Sequence, residues 1–198
     1  MTREREAAEL DRRILEAIAS WDFEEADFDR LARDLFVHQA RWNPPYAAFA
    51  RACGYDPLRP PATWREIPAV PTLAFALNES PLAAFPVESA ALLFETSGTT
   101  RGNSGRHALE TTALYDASLL AGFDRFMLGD LPRDLRLRYL LLVPPRAHSS
   151  LGYMMERILE RRGDGLGGNY LREEGVDAER FAADATQAYS EERPVCIA

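Results

Sequence analysis

No lysine occurs anywhere in the chain, so all 23 of its fixed positive side-chain charges are arginines. That absence excludes a Walker-type phosphate loop, whose Gly-x-x-x-x-Gly-Lys-Ser/Thr spelling cannot be written without it. Cysteine is nearly as scarce. Cys53 and Cys196 stand too far apart for a Cys-x-x-Cys pair or a metal-ligand spacing, and the simple reading is a reduced protein of the cytoplasm with no metal site of its own. No apolar run approaches the length of a membrane span, and the charged stretch Thr2-Arg3-Glu4-Arg5-Glu6 is not followed by a signal-peptide core. A formal net charge of −8 is the wrong sign for nucleic acid or an anionic membrane surface. What the chain does have is 198 residues, 46% of them apolar, enough to bury a sizeable core without staples.

The most informative stretch runs from Ala91 to His107. An apolar run, Ala91-Leu92-Leu93-Phe94, empties into Glu95-Thr96-Ser97-Gly98-Thr99-Thr100-Arg101-Gly102-Asn103-Ser104-Gly105-Arg106-His107. A strand followed by hydroxyls, glycines and interleaved basic residues has the make-up of a loop that wraps an anion, phosphate above all. Gly98, Gly102 and Gly105 let backbone approach a ligand. Thr96, Ser97, Thr99, Thr100 and Ser104 carry hydroxyl donors, and Arg101, Arg106 and His107 supply charge. The spelling is not a nucleophile elbow either, because Ser104 is followed at once by Gly105. The plainer alternative is a polar turn between two strands.

Elsewhere the apolar spacing predicts helices over 3–20 and about 28–41, the second containing His38, which reads as a solvated or hydrogen-bonded residue. Asn43-Pro44-Pro45 interrupts, and a short helix from Tyr46 to Cys53 ends at Gly54, with Cys53 read as a small buried group. Prolines at 57, 60, 61, 68, 71, 81 and 86 impose extended chain on the next segment, whose large apolar residues suggest packing over a larger domain. A return strand over 106–109, a helix from Thr111 or Thr112 to about Leu128 with Gly122 marking close packing, and a buried strand over 138–143 follow. His148, Ser149 and Ser150 then lie in a strand-to-helix turn, where open α/β sheets collect ligands. The helix continues to Arg162, residues 163–168 read as turn chemistry, Asp177 caps a helix to about Tyr189, and 194–198 begin a strand. The expected fold is therefore α/β, a mixed sheet flanked by helices with strands 91–95 and 138–143 central. An N-terminal helical region covers 1–55 and the main domain 56–198.

Taken together, Ile67-Pro68-Ala69-Val70-Pro71-Thr72, the Thr-Ser-Gly-Thr-Thr loop running to Ser104 and His107, Tyr115, and the Ser149-Ser150-Leu151-x-x-Met154 element resemble the acyl-protein synthetase family of the LuxE type, within the adenylate-forming enzymes. The resemblance covers about residues 60–198 and implies the N-terminal part of an adenylate-forming fold. It implies an acid–thiol ligase that uses ATP and Mg²⁺ to activate a fatty or other carboxylic acid as its acyl-adenylate, then passes the acyl group to a protein cysteine. The acceptor it implies is an acyl reductase-like protein. Thr96, Ser97, Gly98, Thr99, Thr100, Gly102, Ser104 and His107 would then bind the nucleotide. His148 is the candidate catalytic residue, and Ser149, Ser150, Leu151 and Met154 the candidate acyl-substrate residues. Arg101 departs from the family pattern, standing where related loops have Gly, and the lysines many such enzymes use are missing. The chain is expected to be an N-terminal portion of a longer enzyme, with its acyl-accepting cysteine later than Cys196. An acyl- or aryl-CoA ligase of the same superfamily and a non-catalytic nucleotide-binding or docking domain are the alternatives.

Overall fold

The computed structural model describes residues 2–76, 81–96, 105–144 and 148–198. The chain forms two compact units, Met1–Ala117 and Ser118–Ala198, so the boundary that the sequence pattern suggests after residue 55 falls inside the first.

In the first unit, α1 (Arg3–Ser20) and α2 (Glu25–Trp42) follow the apolar spacing, α2 beginning three residues before its expected start at 28. Glu4 and Glu6 sit in the first turn of α1, where the helix dipole favours carboxylates, although the Thr2 side chain makes no capping hydrogen bond. Asn43-Pro44-Pro45 ends one helix and starts another. The Asn43 side chain accepts from the Tyr46 amide at 3.1 Å and Pro44 opens α3 (Pro44–Ala52), where a missing N–H costs nothing. Phe36, Ala40, Tyr46 and Ala50 make the core of this region. Ile67, Val70 and Leu82 of the proline-rich segment pack against it, so that segment is fastened to the helices and is no linker. Cys53 is exposed, contrary to expectation, because α3 stops at Ala52 and the chain turns away before the buried stripe reaches it.

His38 is not solvated: it is buried on α2, with Nδ1 3.6 Å from Glu6 Oε1 of α1. The buried Glu6 carboxylate accepts from Arg41 Nη1 at 2.9 Å and from Trp42 Nε1 at 3.2 Å. Burial pushes the Glu6 pKa up, but the Trp42 indole, the Arg41 charge and His38 outweigh it and hold the group below its ordinary 4.5. A depressed carboxyl pKa contributes stability that is present above the unfolded value and lost as pH falls through the folded one. Glu6→Gln is accordingly expected to cost about 1–3 kcal/mol at pH 7, the penalty for leaving buried donors short of an acceptor. Urea denaturation repeated down to pH 3 should show this gap closing below about pH 4.5. A gap that stays constant with pH would mean that Glu6 acts through packing alone.

Strand β1 (Leu92–Glu95) pairs antiparallel with β2 (Arg106–Leu109), matching Leu92 with Leu109 and Glu95 with Arg106. Helix α4 (Ala113–Phe126) follows, and the division between the units falls within it. In the second unit, β3 (Arg138–Leu141) is the buried centre of a parallel sheet ordered β4-β3-β7, with β4 at Gly168–Asn169 and β7 at Val195–Ile197. Helix α5 (Ser150–Arg162) joins β3 to β4. A hairpin of β5 (Leu171–Arg172) and β6 (Gly175–Val176), then α6 (Ala178–Ser190), lead on to β7. Leu137, Tyr139, Leu141 and Val143 pack with Met155 and Ile158 of α5, and Leu119 and Phe123 of α4 join them.

An α/β fold with a helix-flanked sheet is thus observed. The expected single mixed sheet is not: among the described residues the antiparallel and parallel pairings belong to separate sheets, and β1 is paired with β2 alone. The expected strand over 138–143 stops at Leu141, with Val143 buried beyond it. Gly122 does not mark close packing, since a Cβ there would meet nothing within 4 Å. Residues 163–168 do more than turn, because Gly168 enters the sheet. No helix of the described residues is long and apolar enough to cross a membrane.

Candidate functional site

The hairpin of β1 and β2 carries the loop singled out in the sequence. Ser97, Gly98, Thr99, Thr100, Arg101, Gly102 and Ser104 lie outside the described residues; its two ends, Thr96 and Gly105, lie within them. These two residues close the mouth of the loop reciprocally. The Thr96 amide donates to the Gly105 carbonyl at 2.9 Å, and the Gly105 amide donates to Thr96 Oγ1 at 2.8 Å. Thr96, expected as a phosphate donor, therefore spends an acceptor site on holding the strand ends together, while its hydroxyl hydrogen is still a donor.

Side chains alternate along each strand, so Phe94 and His107, matched in register, share one face of the hairpin, and Glu95 and Arg106 share the other. On the first face Phe94 is buried and meets Tyr115 of α4 at a centroid distance of 5.1 Å. His107 is stacked on Phe75, centroids 4.3 Å apart and planes 26° from parallel. Phe75 comes from a short 3-10 turn, Thr72–Ala76. On the second face Arg106 pairs with Glu95 at 3.2 Å, which occupies a cation that the composition of the loop alone assigns to phosphate.

The second group of candidates belongs to the second unit. Ser149 is the N-cap of α5, its Oγ accepting from the Gly152 amide at 3.1 Å, so at least one of its roles is structural. Ser150 and Leu151 open the helix and are exposed, whereas Met154 is partly buried against the core of the second unit. Leu151 is exposed and Met154, three residues on and so on the same side of the helix, is partly buried against that core. His148 precedes them with φ +68°, in the left-handed region that non-glycine residues seldom occupy. The turn holding them leaves the carboxyl end of β3, and the sheet order supplies a reason for its placement. The chain goes from β3 to β4 on one side and returns to β7 on the other, which is the strand-order reversal beside which α/β proteins hold ligands.

Cys196 of β7 lies beside Tyr139 in register, and burial pushes its thiol pKa up. A thiol kept neutral is a poor nucleophile. Burial also raises the Tyr139 hydroxyl, to about 12. Among the described residues no group of three or more His, Cys, Asp or Glu side chains could hold a metal ion.

Sequence reasoning passed over two residues that this geometry brings forward. Phe75 carried no signal beyond being a large apolar residue among prolines. Arg138 did carry one, since an arginine at the head of Tyr139-Leu140-Leu141-Leu142-Val143 needs a carboxylate partner if it is buried.

Among the described residues the architecture is that of an α/β protein with a three-stranded parallel sheet and two separate antiparallel hairpins. Comparison of the chain with protein-family models, with curated proteins and with solved structures gives no match.

Proposed function

We propose that this chain supplies the nucleotide-phosphate loop of a cytoplasmic adenylate-forming enzyme that activates a fatty or other carboxylic acid and passes it to a protein thiol, as the acyl-protein synthetases do. The observation that supports this best is the hairpin whose tip reads Thr-Ser-Gly-Thr-Thr and whose mouth is closed by the Thr96–Gly105 pair, with His107 held beside it by a ring stack. Such a loop fits polyphosphate chemically, because hydroxyl and amide donors with a few cations are what developing charge on phosphate oxygens requires.

In the reaction a carboxylate oxygen attacks the α-phosphorus of ATP, the bond to pyrophosphate breaks, and the acyl-adenylate forms. A thiolate then attacks the acyl carbon and AMP leaves. Mg²⁺ commonly arrives on the phosphates themselves with one or two protein carboxylates, so the lack of a preformed three-ligand cluster among the described residues is compatible with its use. Its part would be to neutralise charge on the departing pyrophosphate. In this reading Ser149 works as a helix cap first, and His148 is the candidate to face the substrate carboxylate.

Two measurements test the proposal. The chain is expected to bind ATP by calorimetry, and the full-length enzyme to support acid-dependent pyrophosphate exchange with a panel of fatty acids. Thr99→Ala and Gly98→Val, each shown to be folded, are expected to lower exchange by about a hundred- to a thousandfold, the usual loss for one oxyanion donor. Near-wild-type exchange in both would make the loop an ordinary turn. ATP binding without exchange would favour a non-catalytic nucleotide-binding domain, and acyl transfer to coenzyme A in preference to a protein thiol would favour a CoA ligase.

A further inference from the structure

We infer that the junction of α1 and α2 is a docking surface for a basic, arginine-bearing segment of a partner protein, a role independent of the nucleotide reading above. The nine residues Trp21-Asp22-Phe23-Glu24-Glu25-Ala26-Asp27-Phe28-Asp29 hold three aromatic rings, five carboxylates and no basic side chain. All but Asp29 are exposed, Trp21 at 39%, Phe23 at 40% and Phe28 at 46%. The helix dipole accounts for carboxylates in the first turn of α2, but it gives no reason to leave three rings in water. Solvent-facing aromatics gathered on one turn and rimmed by charge have the make-up of a protein-binding surface.

The same surface already holds one guanidinium. Trp64, in a short 3-10 turn (Trp64–Glu66), meets Phe28 edge to face at 5.2 Å and donates its amide to Asp29 Oδ1 at 2.6 Å, which fixes it against α2. Arg65 lays its Cζ 4.7 Å from the centre of the Trp64 ring and donates from Nη1 to Glu25 Oε1 at 2.5 Å. A ring face with a carboxylate beside it is thus shown to receive an arginine here. The neighbouring turn repeats those parts with no cation of its own. Asp27 and Asp29 pair with Arg30 and Arg33 of α2, whereas Asp22 and Glu24, on either side of Phe23, make no ion pair among the described residues. Charge decides the occupant. A purely apolar partner would bury those carboxylates unpaired, and nucleic acid or an anionic lipid surface would meet its own sign. An arginine side chain satisfies both parts, pairing with a carboxylate while it stacks on a ring.

The test is calorimetry on the full chain with a capped peptide of alternating arginine and leucine, and with its glutamate-for-arginine counterpart. Only the arginine peptide is expected to bind, and less tightly as salt is added. Asp22→Arg/Glu24→Arg, both changes at exposed positions, should weaken binding by about tenfold or more. Phe23→Ser should weaken it about two- to fivefold, the scale of one exposed cation–π contact. Arg65→Ala should instead tighten it about two- to fivefold, since it frees the Trp64 ring and Glu25 for the peptide. Arg12→Ala, which removes the same charge from the exposed side of α1, should leave binding unchanged. No binding by the arginine peptide, equal binding by the two peptides, or wild-type affinity in Asp22→Arg/Glu24→Arg overturns the inference. So does an equal response to Arg65→Ala and Arg12→Ala, which would reduce the effect to general attraction by an acidic protein.

Discussion

Asp164→Ala is expected to destabilise the second unit by about 3–5 kcal/mol, the usual cost of stranding a buried charge. Arg138, at the start of β3, has a fully buried side chain. Its Nε donates to Asp164 Oδ2 at 2.6 Å and its Nη2 to Glu191 Oε2 at 3.4 Å, while Nη1 has no hydrogen-bond partner among the described residues. Burial acts to raise the Asp164 pKa, but the Arg138 guanidinium and the Leu166 amide outweigh it and leave it lowered, a sign that the charged pair is the native state. Deleting the carboxylate leaves a guanidinium that is already short of one acceptor with only the longer contact to Glu191. The double variant Arg138→Met/Asp164→Ala is expected to be more stable than Asp164→Ala alone, because a buried apolar side chain has no charge to strand. Chemical denaturation of both proteins decides it. A double variant less stable than the single one would mean that the arginine stem, not its charge, holds β3.

Gly167→Val is expected to cost about 3 kcal/mol or more, at or above the upper end of ordinary overpacking. Gly167 precedes β4 and runs so close to β3 that a Cβ would fall inside contact distance of the Tyr139 carbonyl oxygen and 3.0 Å from both the Tyr139 carbonyl carbon and amide nitrogen. Those are backbone atoms of the central strand. They cannot swing aside as a side-chain tip can, so the pairing of Leu140 with Gly168 has to open instead. Gly122→Ala is the matched comparison: it lies within α4, its Cβ would meet nothing within 4 Å, and alanine should gain about 1 kcal/mol from helix propensity. A Gly167→Val that costs no more than Gly122→Ala would show that β4 does not depend on this approach.

Much of the local structure was legible because it is set by neighbours in sequence. The stripe of α1, the end of α5 at Arg162 and the return strand Arg106–Leu109 follow from spacing and breakers, and Asp177 caps α6 by accepting from the Arg180 amide at 3.2 Å. What was not legible depends on distant partners. An apolar run at 91–95 reads as a central strand whichever sheet it joins, and nothing local says that, among the described residues, β1 pairs with the hairpin return alone. The glycine-rich stretch from Gly163 to Gly168 reads as a flexible connection. Its close passage along β3 depends on a carbonyl 28 positions earlier in the chain, at about the reach that only long-range packing supplies. At the candidate site, hydroxyls and glycines announced the loop, yet the commitment of Arg106 to Glu95 and the stack of Phe75 on His107 arise from register and from a turn remote in sequence.

The central place of β3 has a consequence for how the chain is made. Among the described residues, both of its sheet neighbours and both of its ion-pair partners are translated after it: Asp164 comes 26 residues later and Glu191 53 residues later. From the moment Arg138–Leu141 leaves the ribosome until β7 follows, an apolar strand with open edges and an unneutralised arginine must wait. Exposed strand edges of that kind invite pairing with other chains. The arginine at the head of the strand is then useful twice. Before its partners exist it is a solvating charge at the edge of a sticky segment, and once Asp164 and Glu191 arrive it becomes the latch that records the sheet's completion.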